Sequence, residues 1–202
     1  MERKTQDLPT CVLLIIAPTR VLFDSEFIKG RVAINAWSWF FLVVNLIFLV
    51  AFSMLGGHHL GWRGKYLLLW VLPFSRIVEI TYAFYNDAFD QMAGQTPRSG
   101  LSRVQRFKLL GRSYFEVAVC YASLYLACPS TAFTNPPTNG FESLYFSWIT
   151  ITTTGFGDVT PKAWLARAFC MTEVAVGLML LVLAVGTYFS LQRRIAVQAE
   201  KA

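Results

Sequence analysis

The stretch that decides the fold runs from Phe141 to Pro161 and reads FESLYFSWITITTTGFGDVTP. Its first half is an apolar run with helical character, and its second half is rich in threonine and then places glycines at 155 and 157. The stretch is too short to cross a bilayer and return as two helices, because each crossing helix needs about 20 residues. We therefore predict a short re-entrant helix followed by an extended segment.

The glycines indicate what the extended segment can do. Non-helical backbone at membrane depth is tolerated only where it is buried in protein or lines a water-filled path. Gly155 and Gly157 flank Phe156, and glycine allows backbone conformations in which successive carbonyls point the same way. Stacked carbonyls can replace the hydration shell of a small cation, and the short helix would aim its negative C-terminal end, near Thr152, at the same path. These features predict an ion filter.

The composition places this stretch in a membrane. Of the 202 residues, 55% are hydrophobic and 15% are charged, whereas soluble domains average about 25% charged. Two long segments, Val32–Trp62 and Val117–Phe141, contain no Lys, Arg, Asp or Glu. A soluble domain and a disordered chain are therefore excluded. We assign the net charge of +6 to the flanks of membrane spans rather than to nucleic-acid binding.

Four membrane-spanning helices are predicted, with the re-entrant stretch between the third and the fourth. They cover about Ile34–Leu55, Tyr66–Asn86, Ser113–Cys128 and Ala163–Leu191. The predicted fold is an all-α membrane protein with four transmembrane helices, a re-entrant pore helix and an extended filter.

Basic residues predict the orientation. Thirteen Lys and Arg lie in the N-terminal segment, the loop between the second and third spans and the tail, against three on the opposite side. Because a basic excess marks the cytoplasmic side, we expect both termini to be cytoplasmic in a multi-pass protein of the plasma or bacterial cytoplasmic membrane. The basic loop Arg98–Arg112 also suits anionic lipid, although topology alone accounts for its charges.

Residues Thr153 to Asp158, with the sequence TTGFGD, resemble the selectivity signature of the potassium channel family, T-V-G-Y/F-G-D. The resemblance covers roughly Ser113 to Leu191 as outer helix, pore helix, filter and inner helix. It implies one filter per chain and therefore a homotetramer around a central pore. The chain then divides into four parts: an N-terminal cytoplasmic or interfacial segment 1–33 without signal-peptide character, two N-terminal helices and the basic loop 34–112, a pore domain 113–191 and a short cytoplasmic tail 192–202.

The resemblance also implies roles for the filter residues. Backbone carbonyls, together with the Thr153 hydroxyl, would coordinate dehydrated K⁺, and Asp158 would lie at the outer mouth. The implied ion-binding set is Thr153, Thr154, Gly155, Phe156 and Gly157. Thr154 stands where the family most often has an aliphatic residue, and Phe156 lacks the hydroxyl of the commoner Tyr, so one hydrogen bond behind the filter is not formed.

Candidate residues on the fourth span follow from helical spacing and the resemblance together. Gly177 and Gly186 are hinge candidates. The cavity-lining candidates are Leu178, Leu181, Val185 and Phe189. Packing against lipid or the third span is the alternative for these four side chains.

Charged residues inside the spans are candidates for modulation, because such residues are costly in a bilayer and mark functional sites. Arg76 and Glu79 lie three residues apart and are expected to pair, whereas a single arginine in a span cannot make a voltage sensor. Glu173 lies one turn before Gly177 and is expected at the back of the pore helix, where a carboxylate could bias gating of the filter. The role of Glu116 is left open.

We predict a potassium-selective channel subunit, with K⁺ as the permeant ion and no cofactor. The alternatives are a weakly selective monovalent cation channel, if Thr154 loosens the filter, and a non-conducting membrane sensor or effector subunit. An enzyme is not predicted and no catalytic residue is assigned, because the chain has no Ser-His-Asp set, HExxH motif or Gly-rich phosphate loop. Gating is expected to come from the filter, the inner helix, the membrane or an unidentified regulatory partner.

Overall fold

A computed structural model describes residues 31–54, 67–92 and 101–200, with side chains at 31–33, 70, 90–92, 103 and 187–200 outside the description. The predicted segment 1–30, the loop 55–66 and residues 93–100, which include the start of the basic loop, lie outside the described residues. In the described ranges all regular structure is helical, apart from one isolated bridge between Phe133 and Pro161.

Five α-helices organise the described residues. They are α1 (Arg31–Met54), α2 (Ser75–Met92), α3 (Arg103–Ala127), α4 (Gly140–Ile151) and α5 (Trp164–Glu200). A π-helical turn, Trp70–Phe74, leads directly into α2 and contains Pro73. Proline has no backbone N–H, so the regular hydrogen-bond pattern of an α-helix cannot continue through it and the helix widens locally.

Three helices are long and apolar enough to cross a membrane: Ile34–Met54, Leu67–Phe89 and Trp164–Gly186, of 21, 23 and 23 residues. They correspond to the first, second and fourth predicted spans. The third predicted span lies in α3, which has 25 residues but carries charges in its first half. The all-helical fold is therefore confirmed, whereas a fourth crossing by α3 is not established by its composition.

The other helices pack on α3. Residues Val117, Ala118, Val119 and Cys120 have no exposed surface, and α1, α4 and α5 all contact this helix. Because protein rather than lipid surrounds it, α3 accommodates small and polar residues that lower its hydropathy. The helix starts at Arg103 behind a capping box, in which the side chains of Ser102 and Gln105 each accept from the other residue's backbone N–H.

The start of α3 corrects one expectation. Arg103, Arg106 and Lys108 were predicted to lie in a basic loop before the third span, but they belong to the continuous helix α3. Arg106 Nη1 lies 2.9 Å from Asp87 Oδ2 of α2. Its charge therefore joins two helices instead of serving topology alone.

Arg76 joins α2 to α3 through a buried ion pair. Its Nε lies 2.6 Å from Glu116 Oε1, and its Nη1 lies 2.9 Å from Glu79 Oε2. The guanidinium also stacks 4.7 Å from the ring centroid of Phe41 in α1. The expected pairing of Arg76 with Glu79 is present, but the fully buried partner is Glu116, which lies 40 residues away in sequence.

Arg112 of α3 forms hydrogen bonds with two residues of α1. Its Nε donates to Ser38 Oγ at 2.7 Å and its Nη1 donates to Asn35 Oδ1 at 2.9 Å. The guanidinium carbon lies 5.0 Å from the ring centroid of Trp39. Two cations of the predicted basic loop, Arg106 and Arg112, thus bind neighbouring helices, and both N-terminal helices are attached to α3 through arginine side chains.

Gly177 of α5 lies tightly against the last residue of α4. A Cβ atom at this position would lie 2.6 Å from Ile151 Cγ1 and 3.1 Å from Ile151 O. Tyr114 Oη of α3 donates to the same Ile151 oxygen at 3.0 Å. The C-terminal end of α4 is therefore held between α3 and α5, and lack of space requires glycine at 177. At Gly186 no neighbour lies within 4 Å of an added Cβ, and α5 runs on through both glycines.

The buried ion pair predicts a difference between two neutralising substitutions. Arg76→Met leaves Glu116 buried without its cation, and removing one partner of a buried pair costs about 3–5 kcal/mol of unfolding free energy. Glu79→Gln leaves the Arg76–Glu116 pair intact, and we expect a loss of about 1 kcal/mol. Thermal unfolding of both variants in detergent, followed by circular dichroism, measures the difference. Equal losses would contradict the assignment of Glu116 as the main partner.

The close approach at Gly177 predicts a contrast between two alanine substitutions on α5. Gly177→Ala overpacks the contact with Ile151, and overpacking costs about 1–3 kcal/mol. Gly186→Ala meets open space and replaces glycine in a helix, so we expect no loss and a gain of up to about 1 kcal/mol. The same unfolding measurement tests both. A stable Gly177→Ala variant would show that α4 and α5 do not need this contact.

Candidate functional site

The candidate site follows α4, whose first turn is fixed by capping. Asn139 Oδ1 accepts from Glu142 N at 3.0 Å, and Glu142 Oε2 accepts from Thr138 N at 2.7 Å. The hydrogen bonds from the Thr138 backbone amide and hydroxyl hold the pKa of the Glu142 carboxyl below its usual range. Gly140 N donates to Ser53 Oγ of α1 at 2.8 Å. The start of α4 is thus set by its own cap and by α1.

The C-terminal end of α4 anchors the segment that follows it. Ile149 O accepts two backbone hydrogen bonds, from Thr154 N at 2.9 Å and from Gly155 N at 3.0 Å. Thr152 Oγ1 donates to Trp148 O at 2.7 Å. The chain therefore turns back on the last turn of the helix, so that the segment begins at the negative end of the helix dipole.

The backbone alternates along the segment that starts at Thr153. Positive φ angles occur at Thr153 (58°), Gly155 (52°) and Gly157 (81°), whereas Thr154 and Phe156 between them do not have positive φ. Alternation between left- and right-handed conformations brings successive N–H groups to one side of a chain and the carbonyls to the other. Such a row of carbonyl oxygens is the ligand type that suits a dehydrated alkali cation.

Thr153 is the feature of this segment that the sequence did not predict. Only glycine was expected to supply the unusual backbone angles, and a β-branched residue at positive φ is a genuine outlier. Strained backbone of this kind persists only where the surroundings impose it, and it is concentrated at functional sites. The signal that could have located it is its place in the alternation, two residues before Gly155.

All residues from Thr152 to Asp158 are exposed in the single chain. Phe156 is 69% exposed, so its ring does not pack behind the segment within one chain. The far end is held by Asn135 Nδ2, which donates to Asp158 O at 2.7 Å. A hydrogen bond with the Asp158 carboxylate raises the pKa of Tyr145 on α4. The segment is thus fixed at both ends while its middle faces open space.

Three of the four cavity-lining candidates on α5 are exposed. Leu178, Leu181 and Val185 have exposed fractions of 47%, 53% and 47%, and the side chain of Phe189 lies outside the described residues. Exposure in the single chain is consistent with both interpretations of these residues, namely lining of a cavity shared between copies and contact with lipid. Gly177 is instead buried against α4.

Glu173 lies fully buried at the back of α4. Its Oε2 accepts from Tyr125 Oη of α3 at 2.6 Å, and its Oε1 forms a hydrogen bond with Ser147 Oγ of α4. The sequence predicted this placement but not the two partners, because hydroxyl side chains 26 and 48 residues away give no pattern in sequence. The carboxyl group connects three helices behind the candidate segment.

Comparison with known proteins assigns part of this chain. Residues 113–193 match a family model described as ion channel. A stretch of 37 residues is 57% identical to "Probable potassium channel protein 2" of Methanocaldococcus jannaschii, and it covers 18% of this chain and 11% of that protein. The chain therefore spans only a small part of that relative's length. No solved structure matches the chain.

The family match starts in α3, contains α4 and the alternating segment, and ends in α5. Together with the apolar helices, it identifies a membrane protein. These matches confirm the resemblance to the potassium channel family over this part of the chain.

Proposed function

We propose that this chain is one subunit of a potassium-selective channel, in which four copies surround a central pore and K⁺ passes along Thr153–Gly157. The observation that carries the proposal is the alternation of φ over this segment, directly after the C-terminal end of the half-buried helix α4. The family match over residues 113–193 supports conduction of ions. The relative's printed name, a probable potassium channel protein, supports K⁺ as the ion.

In this proposal α1, α2, α3 and α5 cross the membrane, and α4 enters and returns on the outer side. The 25 residues of α3 extend over about 37 Å at 1.5 Å per residue, which exceeds the bilayer core of about 30 Å. Its side chains Arg106, Arg112 and Glu116 bind α1 and α2 rather than facing lipid, as expected of ionisable groups inside a bundle. Both termini are cytoplasmic, on the basic side.

The assembly follows from the exposure of the alternating segment. One chain supplies one row of carbonyl oxygens along an ion path, and four such rows are needed to surround a cation. Large apolar side chains beside the segment are exposed in one chain and available for contacts between copies. They include Phe156, Trp164 and Met171, with exposed fractions of 69%, 78% and 73%.

One observation favours a second candidate, a weakly selective monovalent cation channel. Thr154 Oγ1 lies 3.0 Å from Thr152 Oγ1, so the side chain at 154 makes a polar contact where an aliphatic residue would pack. Phe156 has no hydroxyl to add a hydrogen bond behind the segment. A less rigid row of carbonyls would separate K⁺ from Na⁺ less sharply.

Ion flux in proteoliposomes tests the proposed path through Gly157. Gly157→Asp puts a side chain at φ 81°, where side chains are strained, and we expect K⁺ flux to fall more than about tenfold. The matched control is Gly111→Ala on α3, where an added Cβ has no neighbour within 4 Å and flux should persist. Wild-type K⁺ flux through folded Gly157→Asp protein would refute the assignment of this segment.

The number of copies is tested by native mass spectrometry of the purified protein in detergent. Because each chain contributes a single alternating segment, the account predicts a mass four times that of the 22.8 kDa chain. A dimer that retains K⁺ flux after reconstitution would contradict the argument from one segment per chain.

A further inference from the structure

Glu173 and Glu116 are both fully buried but have different surroundings. Glu116 has a cation, Arg76, whereas Glu173 has no Lys or Arg within ion-pair distance among the side chains that the structure describes. A buried carboxylate without a cation carries a large desolvation cost. The surroundings of Glu173 therefore do not compensate a negative charge.

The groups that face Glu173 are uncharged at neutral pH. On α3 they are the phenols of Tyr114, Tyr121 and Tyr125, on α5 the thiol of Cys170, and on α4 the hydroxyl of Ser147. Phenols and thiols ionise only well above neutral pH. The charge state of Glu173 must therefore be consistent with hydrogen bonds alone.

The hydrogen bonds around Ser147 identify that state. Ser147 Oγ lies 2.8 Å from Ala118 O and also forms a hydrogen bond with Glu173 Oε1. A carbonyl oxygen can only accept, and a serine hydroxyl has one hydrogen to donate. Each hydrogen bond has a hydrogen of its own when Ser147 donates to Ala118 O and Glu173 Oε1–H donates to Ser147 Oγ, whereas an ionised carboxylate would leave two acceptors competing for one hydrogen. Tyr125 Oη then donates to Glu173 Oε2 at 2.6 Å.

We propose that Glu173 is held as the neutral acid and is a positioning residue for the candidate filter, because its O–H donates to Ser147 and so ties α5 to α4 and α3. This inference rests on the proposed function for its effect on conduction, but not for the protonation state. In the ionised form the Ser147 hydrogen would turn to the carboxylate. Ser147 Oγ and Ala118 O would then face each other without a hydrogen between them.

The Glu173–Ser147 hydrogen bond acts on the candidate filter through the last turn of α4. Ser147 lies two residues before Ile149, whose carbonyl accepts from the Thr154 and Gly155 amides. One turn after Glu173 along α5, Gly177 contacts Ile151. Rotation or displacement of α4 therefore moves the anchor of the alternating segment, and the Glu173–Ser147 hydrogen bond opposes that movement.

Infrared spectroscopy of the purified wild-type channel tests the protonation state without any measurement of conduction. A neutral carboxyl group gives a carboxylic-acid C=O band, and we expect Glu173→Gln to remove one such band at neutral pH. Glu142→Gln is the matched control, because the pKa of Glu142 is lowered and its exposed carboxyl is ionised; this change should leave the acid bands intact. An unchanged acid region in Glu173→Gln would overturn the proposal.

Reconstituted variants test the positioning role. An amide can donate to Ser147 and accept from Tyr125 as the neutral acid does, so Glu173→Gln should keep K⁺ flux near the wild-type level. Glu173→Leu removes both hydrogen bonds, and we expect flux per folded tetramer to fall about tenfold, equivalent to about 1.4 kcal/mol. Equal losses in the Gln and Leu variants would show that the ionised carboxylate is required and would overturn the proposal.

Two serines of α4 supply a further matched pair. Ser143 and Ser147 lie one turn apart and are both fully buried, but the Ser143 hydroxyl has no hydrogen-bond partner among the described residues. Ser147→Ala should lower K⁺ flux and Ser143→Ala should not, and equal effects would refute the role of Ser147. If the wild-type protein shows no flux at all, the proposed function fails, while the infrared result still decides the state of Glu173.

Discussion

The candidate filter depends on how the last turn of α4 is held. Ile149 O accepts the amides of both Thr154 and Gly155, and Ile151 is fixed from two sides, by the Tyr114 hydroxyl and by the close approach of Gly177. Backbone that leaves a helix inside a membrane must find partners within the protein. Here those partners come from the same helix and from the two helices that pack on it, so the alternating backbone starts from a fixed point.

The polar groups buried around α3 connect the N-terminal helices to the part of the chain that matches the ion channel family. Arg76 joins α2 to Glu116, and Arg112 joins α1 to α3. Buried ion pairs are weak evidence for stability but penalise the loss of either partner. The two helices outside the family match are thus attached at defined positions to the helix in which the match begins. A movement of α1 or α2 would reach α4 through α3 and through the Ser53–Gly140 hydrogen bond.

The helices and the site segment could be predicted from sequence to different extents. An uncharged apolar run predicted α1, because apolar side chains over this length of helix indicate contact with lipid. A second apolar run, interrupted by Arg167 and Glu173, predicted the start of α5, but the helix continues past the predicted end at Leu191 to Glu200. α3 was predicted to begin near Ser113, whereas it starts at Arg103, since its charged first half binds other helices and resembles an interfacial segment. Glycine spacing located the candidate filter. The Arg76–Glu116 pair could not be predicted, because its two residues lie 40 positions apart in sequence. The only sequence signal for the positive φ of Thr153 is its place in the alternation, two residues before Gly155.

The central claim is that the alternating backbone after α4 conducts K⁺ selectively. The most direct measurement is the reversal potential of the wild-type protein in a planar bilayer with K⁺ on one side and Na⁺ on the other. Carbonyl oxygens that replace the hydration shell of K⁺ predict a reversal close to the K⁺ equilibrium potential. A current that reverses near zero would contradict potassium selectivity and would favour the weakly selective cation channel.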